Sequence, residues 1–205
     1  MFYEILSTDR QAVLPRFKNL KNQFYLAGGT ALALQIGHRD SADFDFFNPA
    51  SFNTNHLLDQ LRQIFDNNIV INQNETDTLT VVADKIKISF FSYPYILLEH
   101  PLDTENLKIA TILDIGCMKL NTILGRATTK DYVDLYFILQ RIPLDSLLEA
   151  TKRKYPSLDA MTVLKGLSYF EDIETAPLIY KITNPPSFEQ VKKFLTDETK
   201  KYFSV

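Results

Sequence analysis

The chain has a single cysteine, Cys117, among 205 residues. An internal disulfide is thereby excluded, and so is a zinc site built on cysteines. Cys117 itself reads as a small buried residue of a helix. Long apolar runs are also missing, since no stretch approaches the roughly 20 residues that a membrane-spanning helix needs. The opening MFYEILSTDR carries Glu4 and Asp9 early and lacks a basic segment with a cleavage site. It is therefore not expected to be a signal peptide, and a cytoplasmic protein with no membrane partner is the default expectation. The third absence is surplus positive charge. A net charge of −3 and a pI near 5.6 argue against broad binding to duplex nucleic acid. Local basic runs at Lys152-Arg153-Lys154, Lys192-Lys193 and Lys200-Lys201 read either as an RNA-binding patch or as solvated helix faces.

What remains is ordinary for a globular chain. Apolar residues make up 45%, and 15 Phe with 10 Tyr can fill a core, so one domain, or one with a smaller appendage, is expected. Residues 8–20 read as an amphipathic helix perturbed by Pro15, with Thr8 or Asp9 as a cap. A short strand is expected at 23–27, a helix at 29–37 ending on Gly37, and a strand at 43–47. Asn53 or Thr54 caps a helix running to about 65. IVINQ, TLTVVA and KIKISFF alternate and are rich in β-branched and aromatic residues, which predicts a three-stranded meander. The proline-containing segment after it reads as an irregular crossover that ends in a brief strand at 107–110. From Ile112 onward the pattern is helical, with five helices expected at about 112–124, 128–140, 144–155, 157–170 and 187–203. The expected class is α+β, with an α/β core over 1–110 and a helical domain over 111–205.

The chemistry concentrates in FYLAGGTALALQIGHRDSADFDFFN, residues 24–48. Gly28, Gly29 and Thr30 stand where a strand hands over to a helix. Glycine admits close approach of a ligand, and a helix N-terminus favours phosphate. Asp43 and Asp45 alternate on the next strand, so they share a face while Phe44 and Phe46 point into the core. Two carboxylates on one face repel unless a cation neutralises them, and oxygen-only ligands suit Mg2+ or Mn2+. The alternative is an exposed pair matched by lysines. Further on, Lys119 stands in an apolar stretch, which is costly unless it meets an anion. That anion is either a triphosphate or the carboxylates of Asp131 and Asp134, which share one helix face. His38 adjoins the site segment and reads best as a helix-terminal residue without a catalytic task.

GGTALAL, HRDSADFDFF, DIGCMKL and KDYVDLYFIL, in that order, resemble the signature segments of the AbiEii/AbiGii toxin family. These are nucleotidyltransferases of the polymerase-beta-like superfamily found in abortive infection and toxin–antitoxin systems. The resemblance implies a polymerase-beta-like core with a mixed β-sheet followed by helices. It implies that Gly28, Gly29 and Thr30 hold nucleotide phosphates and that Asp43 and Asp45 hold the metal. Arg39, Ser41, Lys119, Asp131 and Asp134 are the other matched positions, Lys119 being expected at the catalytic centre and the rest around the nucleotide. The implied reaction is Mg2+-dependent transfer of a nucleoside monophosphate from an NTP to an RNA, such as a tRNA 3′ end, or to a protein hydroxyl. A cognate antitoxin is the implied partner. One departure stands out. Enzymes of this superfamily commonly carry a third carboxylate on a later strand, here KIKISFF, where Ser89 stands instead; Asp77 and Asp84 are the nearest acids. A catalytically degenerate interaction module is the second hypothesis, and a sugar-nucleotide transferase using the D-x-D pair is the third.

Overall fold

The computed structural model describes residues 1–203. Its centre is one mixed sheet whose strands, in chain order, are β1 (Tyr25–Ala27), β2 (Phe44–Asn48), β3 (Ile69–Glu75), β4 (Thr78–Ala83), β5 (Ile86–Ser92), β6 (Leu102–Asp103) and β7 (Lys108–Ile109). Across the sheet they run β3-β4-β5-β2-β1-β7-β6. β2 is antiparallel to β1 and parallel to β5, and the expected meander forms the antiparallel half β3-β4-β5. β6 is an addition that its proline-flanked sequence did not signal.

One face of this sheet is aromatic. Phe44, Phe46 and Phe90 are buried against Phe17, Phe24 and Phe65, with ring centroids 4.9 to 6.3 Å apart. The expected N-terminal helix is split by Pro15 into α1 (Thr8–Val13) and a 3-10 segment (Leu14–Asn19). α1 starts after Ser7, rather than on the Thr8 or Asp9 cap that its sequence suggested. The opposite face receives α2 (Gly28–Ile36), which Gly37 ends in the left-handed conformation at φ 69°. α3 (Thr54–Ile64) is capped by the Asn53 side chain, which accepts from the His56 N–H.

The helices from residue 112 onward are α4 (Ile112–Thr122), α5 (Thr129–Leu139), α6 (Leu144–Lys154), α7 (Ala160–Ser168) and α8 (Phe188–Tyr202). α7 begins three residues later than its pattern suggests, because Asp159 caps it by accepting from the Thr162 N–H. A buried ion pair fastens α4 to α6, with Lys154 Nζ 2.7 Å from Asp114 Oδ1 and both side chains fully inaccessible. The same Asp114 accepts from the Leu98 and Glu99 N–H groups and so anchors the crossover. Lys154 therefore belongs to the interior and to neither reading of the Lys152-Arg153-Lys154 run. Cys117 is buried on α4, as expected. No helix among the described residues is long and apolar enough to cross a membrane.

Candidate active site

A cleft of about 1060 Å³ opens between the second face of the sheet and α4 with the start of α5. Eight of the ten predicted site residues line it: Gly28, Gly29, Arg39, Ser41, Asp43, Asp45, Lys119 and Asp131. Thr30 and Asp134 do not line it, and their side chains bond to neighbouring residues of the chain.

The glycine turn is shaped by its neighbours. Gly28 has φ +69°, a conformation that side chains rarely adopt. A Cβ on it would stand 3.4 Å from Asp45 Oδ2, and a Cβ on Gly29 would stand 2.4 Å from Arg39 Nη2. The turn thus has a carboxylate on one side and a guanidinium on the other, and α2 begins directly behind it with its unpaired N–H groups. The Thr30 hydroxyl lies beneath the turn, bonded to the Asp43 carbonyl and, at 2.7 Å, to Ser41 Oγ. It ties the turn to the aspartate segment rather than facing a phosphate.

Asp45 is on β2, while Asp43 lies one residue before the strand begins. The cross-strand register puts Asp45 beside Ser89 on β5, and Ser89 beside Thr80 on β4. Ser89 therefore occupies the position next to Asp43 and Asp45 where the third carboxylate was sought. Asp77 and Asp84 do not supply one. Asp77 accepts from Ser51 Oγ and the Phe52 N–H, Asp84 pairs with Arg16 and Asn68, and neither lines the cleft. Among the described residues no group of three His, Cys, Asp or Glu side chains could hold a metal ion together. Burial pushes the Asp45 carboxyl up from its ordinary value and Asp43 pushes it further. Lys87, Lys119 and a hydrogen bond from Ser89 offset this in part. A half-buried carboxylate that repels its neighbour across an oxygen-lined cradle fits a hard divalent cation, which takes one or two carboxylates and completes its shell with phosphate and water.

The facing wall is an ion-pair network. Arg39 grips Asp134 through Nε at 2.7 Å and Nη2 at 2.8 Å, the bidentate geometry that fixes a guanidinium plane. Lys119 Nζ lies 2.7 Å from both Asp131 Oδ1 and Asp134 Oδ2. His38 Nε2 is 2.8 Å from Asp134 Oδ1. Asp131 also accepts from the Thr128 N–H and Oγ1, each at 2.8 Å, which closes the first turn of α5. Burial alone raises a carboxyl, yet Arg39 and then Lys119 hold Asp134 well below the usual carboxylate range. Lys119 is raised because Asp134 and Asp131 outweigh its burial. His38 is lowered by burial, against the pull of Asp134. It does not line the cleft.

Sequence reasoning missed Lys87 and Lys130, which bring cations to the cleft from β5 and α5. Lys87 was findable, standing two residues before Ser89 on an alternating strand. With Arg39, Lys119 and Arg126, five cations face three carboxylates on the cleft walls. A chain of net negative charge thus turns a cationic surface toward the glycine turn.

The match to the family model for nucleotidyl transferase AbiEii toxin, type IV TA system, covers residues 13–200. The chain belongs to this family. It is 39% identical over 190 residues to the uncharacterised protein aq_aa25 of Aquifex aeolicus (strain VF5), with 88% of each chain covered. Its fold is similar to that of JHP933 from Helicobacter pylori, with a TM-score of 0.57 and 20% identity over 97% of this chain and 94% of that one. It is also similar to the nucleotidyltransferase toxin MenT4 of Mycobacterium tuberculosis H37Rv, with a TM-score of 0.53 and 18% identity over 93% and 84% of the two chains. The mixed sheet followed by helices is the polymerase-beta-like nucleotidyltransferase fold that the sequence implied, and membership places the chain among the toxins of toxin–antitoxin and abortive-infection systems.

Proposed function

We propose that the chain transfers a nucleoside monophosphate from an NTP to a hydroxyl acceptor, either an RNA, such as a tRNA 3′ end, or a protein side chain. The observation that carries this reading is that the Gly28-Gly29 turn, with φ +69° at Gly28, and the carboxylates of Asp43 and Asp45 line one cleft together with Arg39 and Lys119. In this reading residues 1–110 are the nucleotide-holding core, and residues 111–205 are a helical domain that supplies Lys119 and Asp131. Gly28 and Gly29 receive the terminal phosphates through N–H groups at the start of α2, while Thr30 and Ser41 brace the turn. Asp43 and Asp45 hold Mg2+ or Mn2+, which when bound supplies charge neutralisation at the phosphate oxygens. The acceptor hydroxyl releases its proton to solvent as its oxygen bonds to the α-phosphorus, the bond from that phosphorus to the α,β-bridging oxygen breaks, and pyrophosphate leaves. Lys119 and Arg39 offset the negative charge that builds up there. Asp134 and Asp131 keep those two cations aimed and charged. A separately encoded cognate antitoxin is the protein partner this family membership suggests.

Ser89 supports a second reading, a nucleotide-binding module on the same fold that lacks turnover. A thermal-shift assay with NTP and Mg2+, run on the parent and on Asp43→Ala/Asp45→Ala, tests the site. Incubation with labelled NTPs and total RNA tests the transfer, with labelled sugar nucleotides as the control for glycosyl chemistry. The enzyme reading expects stabilisation of the parent alone and label in RNA or protein. Stabilisation without transfer selects the module, and no stabilisation overturns both.

A further inference from the structure

The cleft floor continues past the carboxylates into a row of aromatic rings. Phe47 follows Asp45 by two residues on β2, and Phe91 follows Ser89 by two on β5. The two phenylalanines are register partners. Side chains two apart share a face of a strand, so these rings extend the surface that carries Asp45 and Ser89. Their centroids are 5.4 Å apart with planes inclined by 33°, and Tyr93 stands edge-on to Phe47 at 5.4 Å and 72°. Tyr93 is held in turn by the Tyr155 hydroxyl and the Asn121 side chain.

The core takes up these rings only in part, although Phe47 also stacks on the buried Tyr25. On the other face the same strands bury Phe44, Phe46 and Phe90 at 0%, 2% and 0% exposure, whereas Phe47, Phe91 and Tyr93 stay half-buried and line the cleft. A surface meant only for polyanions gains nothing from a row of phenyl rings beside its charges. A ligand with a flat π face next to its phosphates does. A strand rise of about 3.3 Å per residue sets the rings roughly 7 Å from Asp45, far enough for a ribose to lie between.

We infer that Phe47, Phe91 and Tyr93 form a nucleobase platform. The inference rests on the nucleotidyltransferase reading above and adds to it the subsite that takes the base. The base belongs either to the NTP or to the terminal nucleotide of a polynucleotide acceptor, and the experiment separates the two.

The chain contains no tryptophan, so a 2-aminopurine ligand can be excited without that background, and stacking quenches it. Three ligands are titrated with Mg2+ onto the intact protein: 2-aminopurine riboside triphosphate, a short single-stranded RNA ending in 2-aminopurine, and, by competition, inorganic tripolyphosphate. Phe91→Leu keeps apolar bulk and removes the π face, while Phe91→Tyr keeps the ring. The platform expects Phe91→Leu to weaken one base-carrying ligand about tenfold with loss of quenching, to leave tripolyphosphate unchanged, and Phe91→Tyr to match the parent. Loss with the triphosphate assigns the subsite to the NTP base, and loss with the RNA assigns it to the acceptor. Unchanged binding of both base-carrying ligands overturns the platform, as does an equal loss for tripolyphosphate. A parent that binds none of the three overturns the nucleotidyltransferase reading itself.

Discussion

Asp43 and Asp45 on one wall of the cleft, and Asp131 and Asp134 on the other, are the same chemical group in opposite electrostatic settings. The first pair faces the glycine turn, and its inner member is raised by burial and by its own neighbour. The second pair is threaded by Arg39, Lys119 and His38, and Asp134 is driven well below its ordinary range although it is wholly buried. A buried carboxylate with a full set of donors is a fixed structural part. One without an ion pair can still take a cation, and on the proposed function the first wall captures the ligand while the second holds Arg39 and Lys119 in place.

The largest expected effect breaks the scaffolding wall. Asp134→Asn removes the charge that neutralises two buried cations and should cost about 3–5 kcal/mol of stability, read as a lower midpoint in denaturant unfolding. Asp45→Asn should act in the opposite sense. Relief of like-charge repulsion should stabilise the ligand-free protein by a few tenths to about 1 kcal/mol, while the stabilisation by Mg2+ and NTP disappears.

Acid should separate the two walls further. His38, lowered in the fold, contributes stability that is lost as pH falls from about 6.5 toward its folded value. The Asp134 contribution is complete above about 3.9, the unfolded value, and is lost below it. Asp45 is raised, so the folded state binds its proton first, and stability rises as pH falls through that raised value toward about 3.9. Chemical unfolding of parent and Asp45→Asn between pH 7 and 4 should therefore show their stabilities converging toward the acid end. Mg2+ affinity should fall over the same window, at higher pH than an ordinary carboxylate would give. The smallest effect is expected from Lys87→Gln, which removes one exposed cation that eases Asp45. It should change stability by no more than about 0.5 kcal/mol and move the onset of Mg2+ loss to higher pH.

The first wall was legible in the sequence because its information is local. Gly28-Gly29 ahead of a helix and alternating Asp43 and Asp45 ahead of Phe46 give a turn and a shared face within 20 residues of each other. The alternation of KIKISFF was also enough to single out Ser89 as the residue standing where an acid was sought. The second wall was only half legible. An ion pair of Lys119 with Asp131 or Asp134 was one of the two alternatives that the sequence left open. The bidentate grip of Arg39 on Asp134 joins residues 95 apart, and no periodicity signals it. Arg39 and Asp134 were therefore assigned to the nucleotide by their place in motifs. The bonds of the Thr30 hydroxyl to Asp43 and Ser41 were not legible either, since they exist only once the turn packs on β2.

By itself the sequence determined most of the secondary elements, though not β6, together with the site-bearing stretch and its alternation, because backbone propensity and strand periodicity act over a few residues. Only the tertiary structure decided which of the predicted charges face the cleft and which neutralise one another beneath it. That choice depends on desolvation and on distances set by the strand register and by the docking of α4 and α5, and these are properties of the packed molecule that no single segment carries.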